Sequence, residues 1–174
     1  VSEITFRTAQ AGDIPALHQL VESAYRGDSA KQGWTHEADL LDGQRTDAEE
    51  LAMVMADPSR VILLAEQDGQ LVGCVQVNDL GQGLTYLGLL TVDPTRQAGG
   101  LGRQLIEAAE AEAVRNFGAI RMEMTVIQQR AELIAYYERR GYVLTGETRP
   151  FPMTDPRFGL PKADLGFVVL EKAL

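Results

Sequence analysis

The sequence predicts an α/β (α+β) fold, a mixed sheet of six to seven strands with four helices on its faces. Runs of period two and runs of helical period follow one another in the order β-α-α-β-β-β-α-β-α-β-β. Asp68-Gly69 between two apolar runs is a hairpin signal. A glycine cluster, Gly99, Gly100 and Gly102, separates an apolar strand from a long amphipathic helix.

Ile4 and Phe6 alternate with polar neighbours and predict a short first strand. Asp13 reads as the N-cap of a helix whose stripe is Ile14, Leu17, Val21 and Ala24. From Arg26 to Gly43 periodicity is lost, and Thr46 with Glu49 makes a capping box for a second helix ending before Pro58. Val61 to Leu64 and Leu71 to Val77 are the hairpin strands, and Tyr86 to Val92 is a fourth strand closed by Asp93-Pro94. A helix then runs to about Phe117 with Leu101, Leu105, Ala108 and Ala109 on one face, a stripe that Glu112 ends. Ile120, Met122, Met124 and Val126 alternate as the next strand. Leu133 to Arg140 is helical and stops at Gly141, placed for a left-handed cap. Tyr142 to Glu147 and Leu165 to Leu170 are the last strands, separated by a proline-rich loop.

The length of 174 residues fits a single domain over 1–174, and a hydrophobic content of 45% can fill its core. No run approaches the roughly 18 apolar residues of a membrane span. The start, Val1-Ser2-Glu3, has no secretory n-region or h-region, and the lone Cys74 suits a reducing compartment. A cytoplasmic protein is therefore expected. The net charge of -9 disfavours nucleic acid as a partner; it could attract a cationic small molecule, but for most of these carboxylates solubility is sufficient explanation.

The segment with chemical content is Gln97-Ala98-Gly99-Gly100-Leu101-Gly102-Arg103 at the start of a helix. Glycines let a ligand approach the backbone, and the first N–H groups of a helix lie at the positive end of its dipole. A pyrophosphate fits there, with Arg96 and Arg103 able to add charge-assisted contacts. A plain tight turn would explain two of the three glycines.

Gln97-x-x-Gly100-x-Gly102 matches the Arg/Gln-x-x-Gly-x-Gly/Ala signature of the GNAT superfamily of N-acetyltransferases. Val92-Asp93-Pro94 resembles that family's Val-x-Pro strand end, and Leu133 to Tyr142 resembles its Ala-x-x-x-Tyr-x-x-x-Gly-Phe segment. The element order agrees along essentially the whole chain. The resemblance implies a mostly antiparallel sheet whose fourth strand splays from the fifth at a bulge. It implies acetyl-CoA as co-substrate and no metal, with acetyl transfer to an amine of a small molecule or peptide by direct attack in a ternary complex. The pantetheine arm would pair with the backbone of Leu90 and Val92. The amides of Ala98 through Arg103 would hold the pyrophosphate, and a strand amide would face the thioester oxygen. Tyr137 takes the place of a tyrosine that protonates the leaving thiolate, and its neighbour Tyr136 is expected to pack on the core.

The sequence departs from the pattern in three places. Arg130 stands where many relatives have asparagine and would reach a cofactor phosphate instead, and Leu133 stands where alanine is common. The fourth strand has no carboxylate, so no general base is named. Tyr86 or Glu123 could anchor a water chain, although a cross-strand or surface role suits each.

In the family the segment between the first two helices borders the acceptor, which here points to Trp34, His36 and Glu37, with Phe151 in the opposite wall. Trp34 reads equally as a lid anchor or a core plug. His18 reads as a surface residue and Cys74 as core filling. A dinucleotide-binding turn fails for lack of a third glycine at the required place. A non-catalytic acyl-CoA sensor is the remaining alternative. Homodimers are common in the family, so the resemblance admits one here.

Overall fold

The computed structural model describes residues 3–25, 41–42, 48–93, 100–150, 160–161 and 166–174. Its main sheet is built from β1 (Thr5–Thr8), β3 (Arg60–Gln67), β4 (Gln70–Gly81), β5 (Leu84–Val92), β6 (Arg121–Ile127), β7 (Val143–Pro150) and β9 (Gly166–Ala173). The strand order is β1-β3-β4-β5-β6-β9-β7, antiparallel everywhere except between β5 and β6. The described helices are α1 (Ile14–Tyr25), α2 (Ala48–Ala56), α3 (Leu101–Phe117) and α4 (Ala131–Arg139). A separate two-stranded ribbon pairs β2 (Leu41–Asp42) with β8 (Leu160–Pro161) and is absent from the sequence expectation.

The sheet is buried on both faces. Ile62, Leu64 and Cys74 share one core with Leu17 and Val21 of α1 and with Leu51 and Val54 of α2. Leu63, Ala65, Val75 and Val77 share the other with Leu105, Ile106 and Ala109 of α3 and with Tyr137 of α4. This double burial explains why β3 reads as an unbroken apolar run. Asp68 and Gly69 both take positive φ, 55° and 74°, the pairing a two-residue hairpin turn requires.

Three local expectations need correction. Asp13 does not cap α1 directly. It closes a 3-10 turn, Ala11–Asp13, where its carboxylate accepts the Gln10 N–H at 2.8 Å and two N–H groups of Arg7. Glu112 does not end the buried face of α3, for it is 5% exposed and Ala113 beyond it is buried. Arg115 and Asn116 of the same helix bind its carboxylate, which makes that burial tolerable. Ile120 lies before β6 and is 59% exposed. The β6 strand starts at Arg121, where Met122, Met124 and Val126 face the α3 core as expected.

Candidate active site

The parallel ladder between β5 and β6 is short. It joins Leu84 to Arg121, Thr85 to Met122 and Tyr86 to Glu123, and no β6 residue pairs with β5 beyond that point. From there β6 stays with β9 as far as Ile127, whereas β5 stays with β4 as far as Val92. The two strands therefore diverge in a wedge whose apex is the Tyr86–Glu123 pair.

A bulge lies on the diverging strand. Cys74 pairs with Thr91 but Gln76 pairs with Gly88, so Leu89 and Leu90 together oppose Val75. Leu89 takes the left-handed φ of 53°, uncommon for a leucine. Thr91 Oγ1 donates to the Leu89 carbonyl at 2.9 Å, and the Cys74 thiol lies 3.5 Å from the same oxygen. The bulge reverses the strand's facing: Leu87 belongs to the α3 core, Leu89 two residues later to the α1 core, and Leu90 packs again toward α3.

Past Val92 the chain returns at Gly100, whose φ of 77° is left-handed, and α3 starts at Leu101. The helix sits directly on the sheet because Gly73 has no side chain. A Cβ there would lie 2.8 Å from Leu105 Cδ1 and 2.9 Å from the Thr91 carbonyl. The first N–H groups of α3, from Leu101 through Arg103, have no intrahelical acceptor and open at the end of β5.

Gly102 answers to a different constraint, a close approach. A Cβ on it would stand 2.8 Å from the Tyr136 hydroxyl, so Tyr136 of α4 reaches into the first turn of α3. The guanidinium carbons of Arg139 and Arg140 lie 5.9 and 5.2 Å from the centre of the Tyr136 ring. Burial raises the Tyr136 phenol above its ordinary value, and the charges of Arg140, Arg103 and Arg139 oppose that rise. Tyr136 is thus half-buried beside the glycine turn and packs against the α3 core, as its sequence suggested. Tyr137 is the deeper ring, 7% exposed, in edge contact with Tyr136 at 5.5 Å and Tyr142 at 6.4 Å. Tyr142 is anchored in turn by its hydroxyl donating to Glu110 at 2.8 Å, where Lys172 also binds.

Arg130 stands at the N-terminal end of α4 with its side chain 8% exposed, and its Nε donates to Glu132 at 2.8 Å. Leu90 and Val92 are half-buried against the α3 core. Gln97, Ala98, Gly99, Trp34, His36, Glu37 and Phe151 lie outside the described residues, as do Thr46 and Arg96.

On the α1 side of the wedge stands a polar group that sequence reasoning found only in part. Tyr86 and Thr125 share a hydrogen bond of 2.6 Å across β5 and β6, the cross-strand role expected of Tyr86. Glu123 is 5% exposed, which rules out the surface role considered for it. Arg149 of β7 grips it with Nη1 at 2.9 Å and Nη2 at 3.3 Å while Nε binds Glu147. These two carboxylates hold the Arg149 guanidinium far above its usual range. Alternation along β6 separates Glu123 and Thr125 from Met122, Met124 and Val126, a signal that was present in the sequence.

Among the described residues no group of three or more His, Cys, Asp or Glu is placed to hold a metal ion, and no helix is long and apolar enough to cross a membrane. Residues 14–142 match the model of the acetyltransferase (GNAT) family. An IAA acetyltransferase of Azospirillum brasilense is 31% identical over 140 residues, 78% of this chain and 82% of that one. Two solved structures share the fold. One is yncA of Salmonella typhimurium, determined with its cofactor acetyl-CoA (TM-score 0.72, 22% identity, 99% of this chain and 95% of that chain covered). The other is the ribosomal-protein-alanine N-acetyltransferase of Brucella melitensis (TM-score 0.72, 22% identity, 98% and 99% covered). A wedge between two parallel strands, a bulge on one of them and a helix opening at its end coincide with a family match over most of the chain: this protein belongs to the GNAT family of acetyltransferases.

Proposed function

We propose that residues 1–174 form one N-acetyltransferase domain that moves an acetyl group from acetyl-CoA to an amine of a small molecule or peptide. The observation that carries the reading is the divergence of β5 from β6 at a bulge, pointing into the N-terminus of α3. A pantetheine arm carries amides that can pair with an extended backbone, and Leu90 and Val92, on β5 beyond its last pairing with β6, would present one. The turn from Gln97 through Ala98, Gly99, Gly100, Leu101 and Gly102 to Arg103 would take the pyrophosphate, and the left-handed Gly100 and Cβ-free Gly102 fit that use. Arg130, held by Glu132 where β6 passes into α4, would reach a cofactor phosphate.

The names of two structural relatives support the substrates. The yncA structure holds acetyl-CoA, and the Brucella enzyme is named a ribosomal-protein-alanine N-acetyltransferase. The amine must be neutral to attack. A lysine-like amine is only about one part in a thousand neutral near pH 7.4, so desolvation in the site and a route for its proton are both needed. The attack forms the new N–C bond, and an amide of the β5 bulge region would stabilise the charge developing on the acyl oxygen. Tyr137 would return a proton to the departing thiolate of CoA. Trp34, His36, Glu37 and Phe151 would border the acceptor.

The test combines turnover and one conservative change. Acetyl-CoA consumption is measured against a panel of small and peptide amines, first with wild type and then with Tyr137→Phe. An active amine is expected, with kcat lowered roughly a hundredfold in the variant and little change in the KM for acetyl-CoA. Binding of acetyl-CoA without turnover of any amine would favour the sensor. An unchanged kcat in single-turnover measurements would remove Tyr137 from the chemistry.

A further inference from the structure

The ladder between β5 and β6 ends on a side-chain contact. Its last paired rung is Tyr86 against Glu123, and a straight continuation would set Leu87 beside Met124 and Gly88 beside Thr125. Neither backbone rung forms. At the second of them side chains stand in, for the Tyr86 hydroxyl and Thr125 Oγ1 lie 2.6 Å apart. To reach Thr125 the phenol ring lies along its own strand over Gly88, where a Cβ would come within 3.0 Å of Tyr86 Cε1 and 3.5 Å of Cδ1. Glycine at position 88 makes room for the ring.

This tie closes one face of the wedge apex, and packing closes the other. Leu87 and Met124 are both buried in the α3 core, with Leu105 and Met122. Behind them, at the Tyr86–Glu123 rung, paired backbones stand about 4.8 Å apart, too close to admit a hydrocarbon chain. The apex is therefore a blind end. A ring and two hydroxyls bound it on the α1 side, aliphatic side chains on the α3 side, and the backbone ladder between them.

An acyl donor would enter from the opposite, open end. With its pyrophosphate at the start of α3 and its arm beside Val92 and Leu90, the thioester and acyl group run back along β5 toward Gly88 and the blind end. Resting on the acetyl-CoA reading above, we propose that the Tyr86–Thr125 tie sets the acyl length the protein accepts and holds it to acetyl. Each further methylene must break the hydrogen bond and displace the ring, or push into the packed α3 core. One methylene more than a closed apolar site holds is worth roughly ten- to two-hundredfold in discrimination.

The experiment is calorimetric titration of the full chain with acetyl-CoA, propionyl-CoA and butyryl-CoA, comparing wild type with Tyr86→Ala and Thr125→Val. Wild type is expected to bind acetyl-CoA at least tenfold more tightly than butyryl-CoA, about 1.4 kcal/mol, with propionyl-CoA between them. Tyr86→Ala removes the ring and is expected to lower that preference to about twofold while acetyl-CoA affinity changes little. Thr125→Val keeps the shape of the side chain and removes only the hydrogen bond, so it is expected to relax the preference about threefold. Both residues are half-buried, with a thermal melt as the control, and Thr125→Val decides the matter if Tyr86→Ala does not fold. A tie that merely stitches β5 to β6 would lower the melting temperature and leave the acetyl-to-butyryl ratio at its wild-type value, which overturns the proposal. Equal wild-type affinities for the three donors overturn it as well. If wild type binds none of them, the acetyl-CoA reading itself fails, a result distinct from the other two.

Discussion

Gly102 and Tyr136 belong to different helices and meet at one point, which makes their coupling measurable. A Cβ on Gly102 would stand 2.8 Å from the Tyr136 hydroxyl, well inside normal contact, with the ring carbon bearing that hydroxyl at 3.7 Å and Val92 Cγ2 at 3.9 Å. The clash is therefore with one oxygen atom. In Gly102→Ala the phenol must move, although Arg139, Arg140 and the edge of Tyr137 border its ring. Off-rotamer displacement costs about 0.5–1.5 kcal/mol and overpacking about 1–3 kcal/mol. Alanine in a helix returns at most about 0.5–1 kcal/mol over glycine, and less in the first turn. The single variant should thus lose roughly 1 kcal/mol. In a Tyr136→Phe background the same Gly102→Ala change meets only ordinary contacts and should be neutral or stabilising by a few tenths of a kcal/mol. Urea unfolding of the four proteins completes the cycle, with an expected coupling of about 1–2 kcal/mol. CoA titrations on the same proteins should show the Gly102→Ala loss of affinity relieved in the double variant. A cycle that closes within about 0.5 kcal/mol would refute the contact and with it the placement of α4 against the glycine turn.

Arg149→Ala leaves the Glu123 carboxylate buried without its guanidinium. Arg149 is itself about one-third exposed, so water can enter, and the expected loss is about 2 kcal/mol rather than the larger cost of a sealed pair. A melting temperature lower by roughly 4–8 °C should report it, and an unchanged melt would mean that the pair contributes nothing. Asp13 gives a pH dependence of known sign. Hydrogen bonds from Arg7 first, and from the Gln10 N–H, hold its carboxyl below the ordinary value, and a depressed folded value means stability that is fully present above about pH 4. That stability is lost as pH falls through the folded value, so the gap between wild type and Asp13→Asn in urea midpoints should be constant above about pH 5 and shrink below pH 4. A gap independent of pH down to about pH 2 would contradict the ion pair.

Elements were legible where one local pattern decided them. The helical stripe of α3 and the Asp68-Gly69 hairpin needed only neighbours within a few residues, and each stands where expected. The β2–β8 ribbon has two residues per strand, too few for any period to register, and its partners come together only through the tertiary fold. Glu112 was misjudged because a carboxylate on a helix stripe normally marks the solvent edge. Its partners Arg115 and Asn116 lie three and four residues ahead, so that burial could have been read. The two tyrosines of α4 are instructive in the same way. Leu133 and Ile134 stand four and three residues before Tyr137, which centres their stripe on Tyr137 and leaves Tyr136 on the flank. The family pattern drew attention to Tyr137, and the helical phase would have drawn it to Tyr136 as well. Arg149 could not be found locally, for its partner Glu123 lies on another strand and neither residue announces the other.

The bulge on β5 links these features to the proposed reaction. A parallel ladder that begins at Leu84 would, on a straight strand, continue beside β6. Setting Leu89 and Leu90 against the single residue Val75 bends and twists the strand at that point. The reversal of facing then sends Leu89 into the α1 core and Leu90 toward α3, so packing on both faces fixes the bend. Any shift that restored the ladder would have to withdraw Leu89 from its core, at about 1.5–3 kcal/mol for a buried leucine. The wedge is therefore a property of the folded scaffold and exists before any ligand arrives. A co-substrate arm entering on the α3 side and an amine approaching past Tyr86, Thr125 and Glu123 on the other would meet at the apex. In the proposed reaction such a meeting would allow direct transfer in a ternary complex, because neither ligand would have to leave for the other to bind.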